Sequence, residues 1–289
     1  MMNSRFHSRL ALAALGVTAM LPLAADAHRG WMLPSATVVS GEEPWVTVDA
    51  AISNDLFYFE HQPMRLDNLK VFAPDGKLVP ATNSSTGRYR STFDVKLDQA
   101  GTWRISTLTD VVNANYKLGG ENRRLRGTLE SLRKELPKDA QDLSVSHSQN
   151  RVDVFVTSGK PTDTVLKPSG SGLELVAHTH PNDLVAGEEA SFGLVFDGKP
   201  AVGVAVSLIP GGIRYRDQLG EIKLVTDQQG RFLVTWPEPG MYWLNANYPP
   251  RGEREDNAAA NNRGPQQRGT LDAPARRASY TATLEVLAP

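Results

Sequence analysis

The sequence predicts an all-β protein built as two tandem antiparallel β-sandwiches with one short amphipathic helix between them. Three observations carry this. Apolar residues recur with a period of two: Tyr89, Ser91, Phe93, Val95 and Leu97 fall on one face of a strand, and Arg90, Thr92, Asp94 and Lys96 on the other. The alternating runs are punctuated by tight-turn signals such as Asp75-Gly76, Gly198-Lys199-Pro200 and Pro239-Gly240. The two halves also echo each other. "YRSTFDVKLDQAGTWRIST" and "GRFLVTWPEPGMYWLNANY" each place an alternating strand, a glycine, and an aromatic at the start of the next strand.

In order along the chain, Arg5 and Arg9 precede an apolar run from Leu10 to Leu23, followed by Ala25-Asp26-Ala27. This is the pattern of a cleavable signal peptide over 1–27, with cleavage after Ala27 and export to the periplasm. The run is about 14 residues, short of the roughly 20 that span a bilayer, and no later stretch comes closer. The leader has no cysteine, so it is not that of a lipoprotein. Residues 28–112 then read as the first sandwich. In it, Leu69 to Ala73, Asp75-Gly76 and Lys77 to Val79 form a strand, turn and strand, and Thr102 to Leu108 a further strand.

Residues 113–150 form a charged connector. Leu125, Leu129, Leu132 and Leu136 recur there at helical spacing before Pro137, which predicts one amphipathic surface helix with a solvated basic face. Residues 151–289 form the second sandwich, beginning with a strand from Val152 to Thr157. Strands follow at Val202 to Leu208, Phe232 to Trp236, Met241 to Asn247 and Ser279 to Leu287. Residues 251–276, rich in Arg, Asn, Gln, Gly and Ala, read as a mobile loop. The five tryptophans, Trp31, Trp45, Trp103, Trp236 and Trp243, sit within strand patterns and read mostly as core.

The chemistry open to the chain is narrowed by composition. There is no cysteine among 289 residues, so disulfides and thiolate metal sites are excluded and any metal is held by nitrogen and oxygen. The net charge is −1, and removal of the leader makes it −2, so nothing marks a nucleic-acid partner. No nucleophile elbow, His-Glu-x-x-His, phosphate-binding glycine loop or dinucleotide fingerprint is present, so no catalytic motif points to an enzyme.

Histidine is what remains. Cleavage after Ala27 makes His28 the terminal residue, and a terminal histidine can close its free α-amine and ring Nδ1 on one ion. His178 and His180 lie two apart in a segment that reads as strand, which would put both rings on one face. His61, in Phe59-Glu60-His61-Gln62-Pro63, is a further candidate ligand. His147, flanked by serines, reads as a solvated loop residue. Amine and imidazole donors suit divalent nickel, cobalt, copper and zinc, with copper favoured by raw affinity.

The turn with Gly198-Lys199-Pro200, the apolar strand after it, the Asp-x-x-Gly turn and the Pro-Gly before an aromatic strand resemble prealbumin-like modules of extracellular β-sandwich proteins. More broadly, "AHRGWMLPSATVVSGEEPWVTVDAAISNDLFYFEH" and "LELVAHTHPNDLVAGEEASFGLVFDGKPAVGVAVSLIPGG" resemble an exported bacterial family of unknown-function domains. Some members of that family are described as periplasmic components of nickel or cobalt uptake systems. The resemblance implies that His28 opens the mature chain, that His180 belongs to the His-Pro-Asn-Asp segment, and that His61 lies near the site.

The expectation is therefore a periplasmic protein that binds Ni, Co or Cu through His28, His61, His178 and His180. It would serve an inner-membrane uptake permease or an outer-membrane receptor. Two alternatives stand beside it: a non-enzymatic adhesion or carbohydrate-binding module, and a copper enzyme using a terminal-histidine brace.

Overall fold

The structure, a computed structural model, describes residues 28–250 and 269–289. The leader expected over 1–27, with its cleavage site, and the 251–268 part of the expected loop lie outside them. The protein is an all-β sandwich. Two small antiparallel sheets pack on one large, shared sheet, and among the described residues there is one α-helix and no helix long and apolar enough to cross a membrane.

The first small sheet holds Arg29–Pro34, Trp45–Ser53, Ser91–Lys96 and Thr82–Thr86, with Gln62–Pro63 beside Trp45–Ser53. The second holds Leu173–Ala177, Glu189–Phe196, Lys199–Pro200 and Arg231–Thr235. The shared sheet has ten strands. Gly101–Leu118 pairs antiparallel with Gln141–Ser158, which pairs in parallel with Ala275–Val286, so the two halves form one continuous sheet.

Register shows how the small sheets are arranged. Paired residues share a face, and Val154 is opposite Thr283 while Asp153 is opposite Ala282. Val154 and Val156 join the first core, with Met32, Val48, Phe93 and Trp103. Ala282 and Tyr280 join the second, with Phe192, Phe232, Trp236 and Leu244. The small sheets therefore cover opposite faces of the shared sheet. Near its middle, Trp243 and Ile209 of the second half pack against Trp31, Leu56 and Phe57 of the first.

Four sequence expectations change here. The 101–118 and 141–158 strands are each 18 residues long, and the second runs straight through the boundary expected at 150/151. The helix is only Leu129–Glu135, because Glu121–Gly127 pairs with 112–118 as a strand that contains Leu125. Thr128 starts it with a capping box shared with Ser131, and Leu132 seals Val112, Ala114 and Val145. His147 is not in a loop: it lies in a strand opposite Val112, with Nε2 2.5 Å from Asp110 Oδ1. The last strand begins at Ala275 rather than Ser279. Of the tryptophans, four are buried and Trp45 is exposed.

Candidate metal centre

The strand Trp45–Ser53 is the base of the site. Arg29 pairs with Ser53 on one of its edges, and Gln62 pairs with Ile52 on the other. His28 and His61 each lie one residue before those pairings, so they flank the same strand end. Their rings stack on each other, with centroids 3.8 Å apart and planes within 12°. Both side chains are exposed, and among the described residues neither ring makes a hydrogen bond.

The segment between Ser53 and His61 is built to hold this position. Glu60 Oε1 accepts from the backbone N–H groups of Asn54 and Asp55, at 2.8 and 2.9 Å, closing the loop on itself. Buried Trp31 donates its indole N–H to Ser53 Oγ at 2.8 Å, and that hydroxyl donates to the Asp55 carbonyl. Arg29 donates to the Asn54 carbonyl at 2.7 Å. Phe57 and Phe59 lean on the Trp31 ring, and the Arg90 guanidinium lies 4.3 Å over Phe59.

Two nitrogens each about 2.0–2.1 Å from one ion lie at most about 4.2 Å apart. The ring centroids of His28 and His61 are close, but in the stack the nitrogen lone pairs lie in the two nearly parallel ring planes, so the stack must open for both to point at one ion. Among the described residues no cluster of three or more His, Asp or Glu side chains able to hold a metal is present. The described side chains at this strand end thus offer two imidazoles and no larger ligand set.

The structure sends the other two candidate histidines elsewhere. The strand Leu173–Ala177 stops before His178, because the N–H groups of His178 and Thr179 both bond to the Ser191 carbonyl, at 3.1 and 2.9 Å. Two residues opposite one is a bulge, and it ends the strand's alternation. His178 is exposed near Gly193. His180 lies beyond the bend in a turn closed by Asp183 N–H to its carbonyl.

Both nitrogens of His180 are engaged. Nδ1 accepts from the Asn182 backbone N–H at 3.2 Å, which assigns the proton to Nε2, and Nε2 donates to Thr102 Oγ1 at 2.9 Å. Thr102 Oγ1 meets Thr157 Oγ1 at 3.1 Å, and Thr157 donates to Asn182 Oδ1 at 2.8 Å, closing a ring of hydrogen bonds. Burial pushes the His180 imidazole below its ordinary pKa, opposed by Asp163, the Thr162 carbonyl and Asp183. With Nε2 protonated, His180 is not poised as a base towards Thr102. It fastens the 178–183 turn to the shared sheet.

Residues that the sequence reading passed over complete the picture. Gly211, Arg214 and Trp243, all from the second half, touch the His28–His61 region. The Pro210-Gly211-Gly212 run is the one sequence signal that marks a close approach there.

No curated protein matches the chain. Among solved structures, it is similar to a DUF4785 family protein from Legionella pneumophila subsp. pneumophila str. Philadelphia 1, at 10% identity and a TM-score of 0.21. That match covers 74% of this chain, which spans half the length of that one. A family model described as a domain of unknown function, DUF4198, matches residues 25–249. The chain thus belongs to the DUF4198 family.

Proposed function

We propose that this is a periplasmic protein that captures a divalent late first-row ion, nickel, cobalt or copper, in support of its uptake or handling. The ion is cargo, held by the α-amine and ring of His28 together with the ring of His61. The stacked pair carries this reading: two exposed imidazoles, 33 residues apart in sequence, meet with their nitrogens unengaged. Cleavage after Ala27 would supply the third nitrogen that no nearby side chain supplies. Affinity should follow the order copper above nickel above cobalt, and should fall as the amine takes up a proton below its usual pKa of about 7.7–8.0. An uptake permease of the inner membrane, or an outer-membrane receptor, is the partner class this cargo implies.

The test uses protein exported from the full-length precursor, its first residue established by mass, and titrated with Ni(II), Co(II) and Cu(II) in a calorimeter. One alanine added before His28, or His61→Ala, should each weaken binding at least tenfold. Equal affinity in either variant overturns the site. A chain whose melting temperature ignores all three ions returns the reading to an adhesion or carbohydrate-binding module.

The same three-nitrogen donor set supports one other reading, a histidine-brace copper enzyme. Copper-loaded, reduced protein that makes no peroxide in oxygenated buffer rules it out.

A further inference from the structure

The segment that carries His61 is not held by its own sandwich alone. At its centre Phe57 takes φ = +61°, a left-handed conformation that is a strained outlier for a bulky side chain. Such a conformation persists only where the surroundings over-determine it, and much of that constraint here comes from the other half of the chain.

The Phe57 ring is seated on Gly211 so closely that a Cβ there would stand 2.8 Å from Phe57 Cδ2. The Arg214 guanidinium lies 4.2 Å over the Tyr58 ring and 4.0 Å from the Asp55 carboxylate. On the His28 side, the Trp243 indole N–H donates to the Gly30 carbonyl at 3.0 Å. Two separate stretches of the second half thus touch the segments next to both rings, through the side chains of residues 55, 57 and 58 and through the Gly30 carbonyl.

We propose that Gly211 and Arg214 are positioning residues of the His28–His61 site, so that metal occupancy and the seating of the 211–214 segment on residues 55–58 are linked. The proposal rests on the metal reading above. Linkage is reciprocal: whatever factor the loosened contact costs in metal affinity is the factor by which bound metal tightens the contact. The ion would then be held best only while the 211–214 segment is seated on residues 55–58. A partner that engages the 211–214 segment would lower affinity at His28 and His61 without touching either ring.

Two variants of the exported protein test this. Gly211→Ala inserts a methyl where Phe57 sits. Arg214→Ala removes the grip without adding bulk, at a half-exposed side chain that no core depends on. Amide exchange is followed without metal, and Ni(II) and Cu(II) affinities are measured alongside.

In both variants the 54–61 amides should exchange at least tenfold faster, with those of 101–118 and 141–158 unchanged, and affinity should fall at least fivefold. Arg214→Lys, which keeps the charge over Tyr58, should recover part of both. Unchanged exchange at 54–61 in both variants overturns the positioning role. A loosened 54–61 segment with affinity within twofold of the parent overturns the linkage. A parent that binds neither ion defeats the metal reading and with it the linkage, while the exchange result still decides whether the second half holds this segment.

Discussion

Replacing Asn182 by alanine should destabilise the protein by about 2–4 kcal/mol, a figure that follows from two buried hydrogen bonds. Asn182 Oδ1 accepts from Thr157 Oγ1 at 2.8 Å, and its Nδ2 donates to the Phe155 carbonyl at 2.9 Å. Each bond contributes about 1 kcal/mol net, and each partner left unpaired in the interior adds a desolvation cost. Thr157 cannot recover the bond by turning its hydroxyl to Thr102, because Thr102 Oγ1 already accepts from His180 Nε2 and the Thr162 N–H and donates to Thr157 at 3.1 Å. For a chain of this size the expected fall in melting temperature is roughly 5–12 °C. Urea unfolding followed by tryptophan fluorescence gives the free energy directly. A double-mutant cycle with Thr157→Val should return a coupling of about 0.5–3 kcal/mol, since the two side chains share one bond. A loss below about 0.5 kcal/mol for Asn182→Ala, with coupling within about 0.3 kcal/mol of zero, would refute the argument that this ring fastens the 178–183 turn to the shared sheet.

Three more expectations are open to direct measurement. Because burial depresses the His180 pKa below 6.5, its contribution to stability is complete above pH 6.5 and is lost as pH falls through the lower folded value. His180→Gln should flatten that part of the stability curve, and urea midpoints at pH 7.5 and 5 that shift alike in both proteins would contradict it. Metal at a hundred times its Kd should add about 2.7 kcal/mol and raise the melting temperature of the exported protein by roughly 5–10 °C. At the same metal concentration His61→Ala, with at least tenfold weaker binding, should cut that rise by about half or more, and His178→Ala should leave it intact; the reverse pattern would move the site. Gly230→Ala should cost more than about 2 kcal/mol, because the residue has φ = +73° and a Cβ would lie 2.6 Å from the Leu194 carbonyl oxygen. A urea midpoint close to the parent's would show that the turn yields more easily than its geometry implies.

Strands that bury one face announced themselves by alternation, as at 91–97 and 232–236. The strand extensions at 109–118 and 141–150 did not, because they carry polar residues on both faces and cover only the small cluster around Val112, Ala114, Leu132 and Val145. The leucine spacing at 125, 129, 132 and 136 misled for a related reason. Leu125 serves the same cluster as Leu132, but from a strand, so the need for burial is shared while the backbone is not. The joining of the halves into one sheet left no local trace at all. It rests on parallel pairing of Gln141–Ser158 with Ala275–Val286, residues far apart in sequence.

The site was legible as chemistry before it was legible as geometry. Counting histidines in a cysteine-free chain selected four candidate ligands, yet availability divides them. His180 was attractive because the period-two rule puts residues 178 and 180 on one face, but the rule holds only while the strand continues, and the bulge at Ser191 ends it. Its nitrogens then serve Thr102 and Asn182, and His147 likewise commits Nε2 to Asp110. A ligand needs an uncommitted lone pair and a neighbour with another. His178 has the first condition without a second imidazole beside it, since among the described histidines only His28 and His61 have their rings in contact. That pairing was out of reach of the sequence because it depends on both edges of Trp45–Ser53 and on a strained Phe57 seated on a glycine 154 residues away. What singles out the candidate site is therefore less the presence of histidine than the fold's leaving two of them unbonded at one strand end.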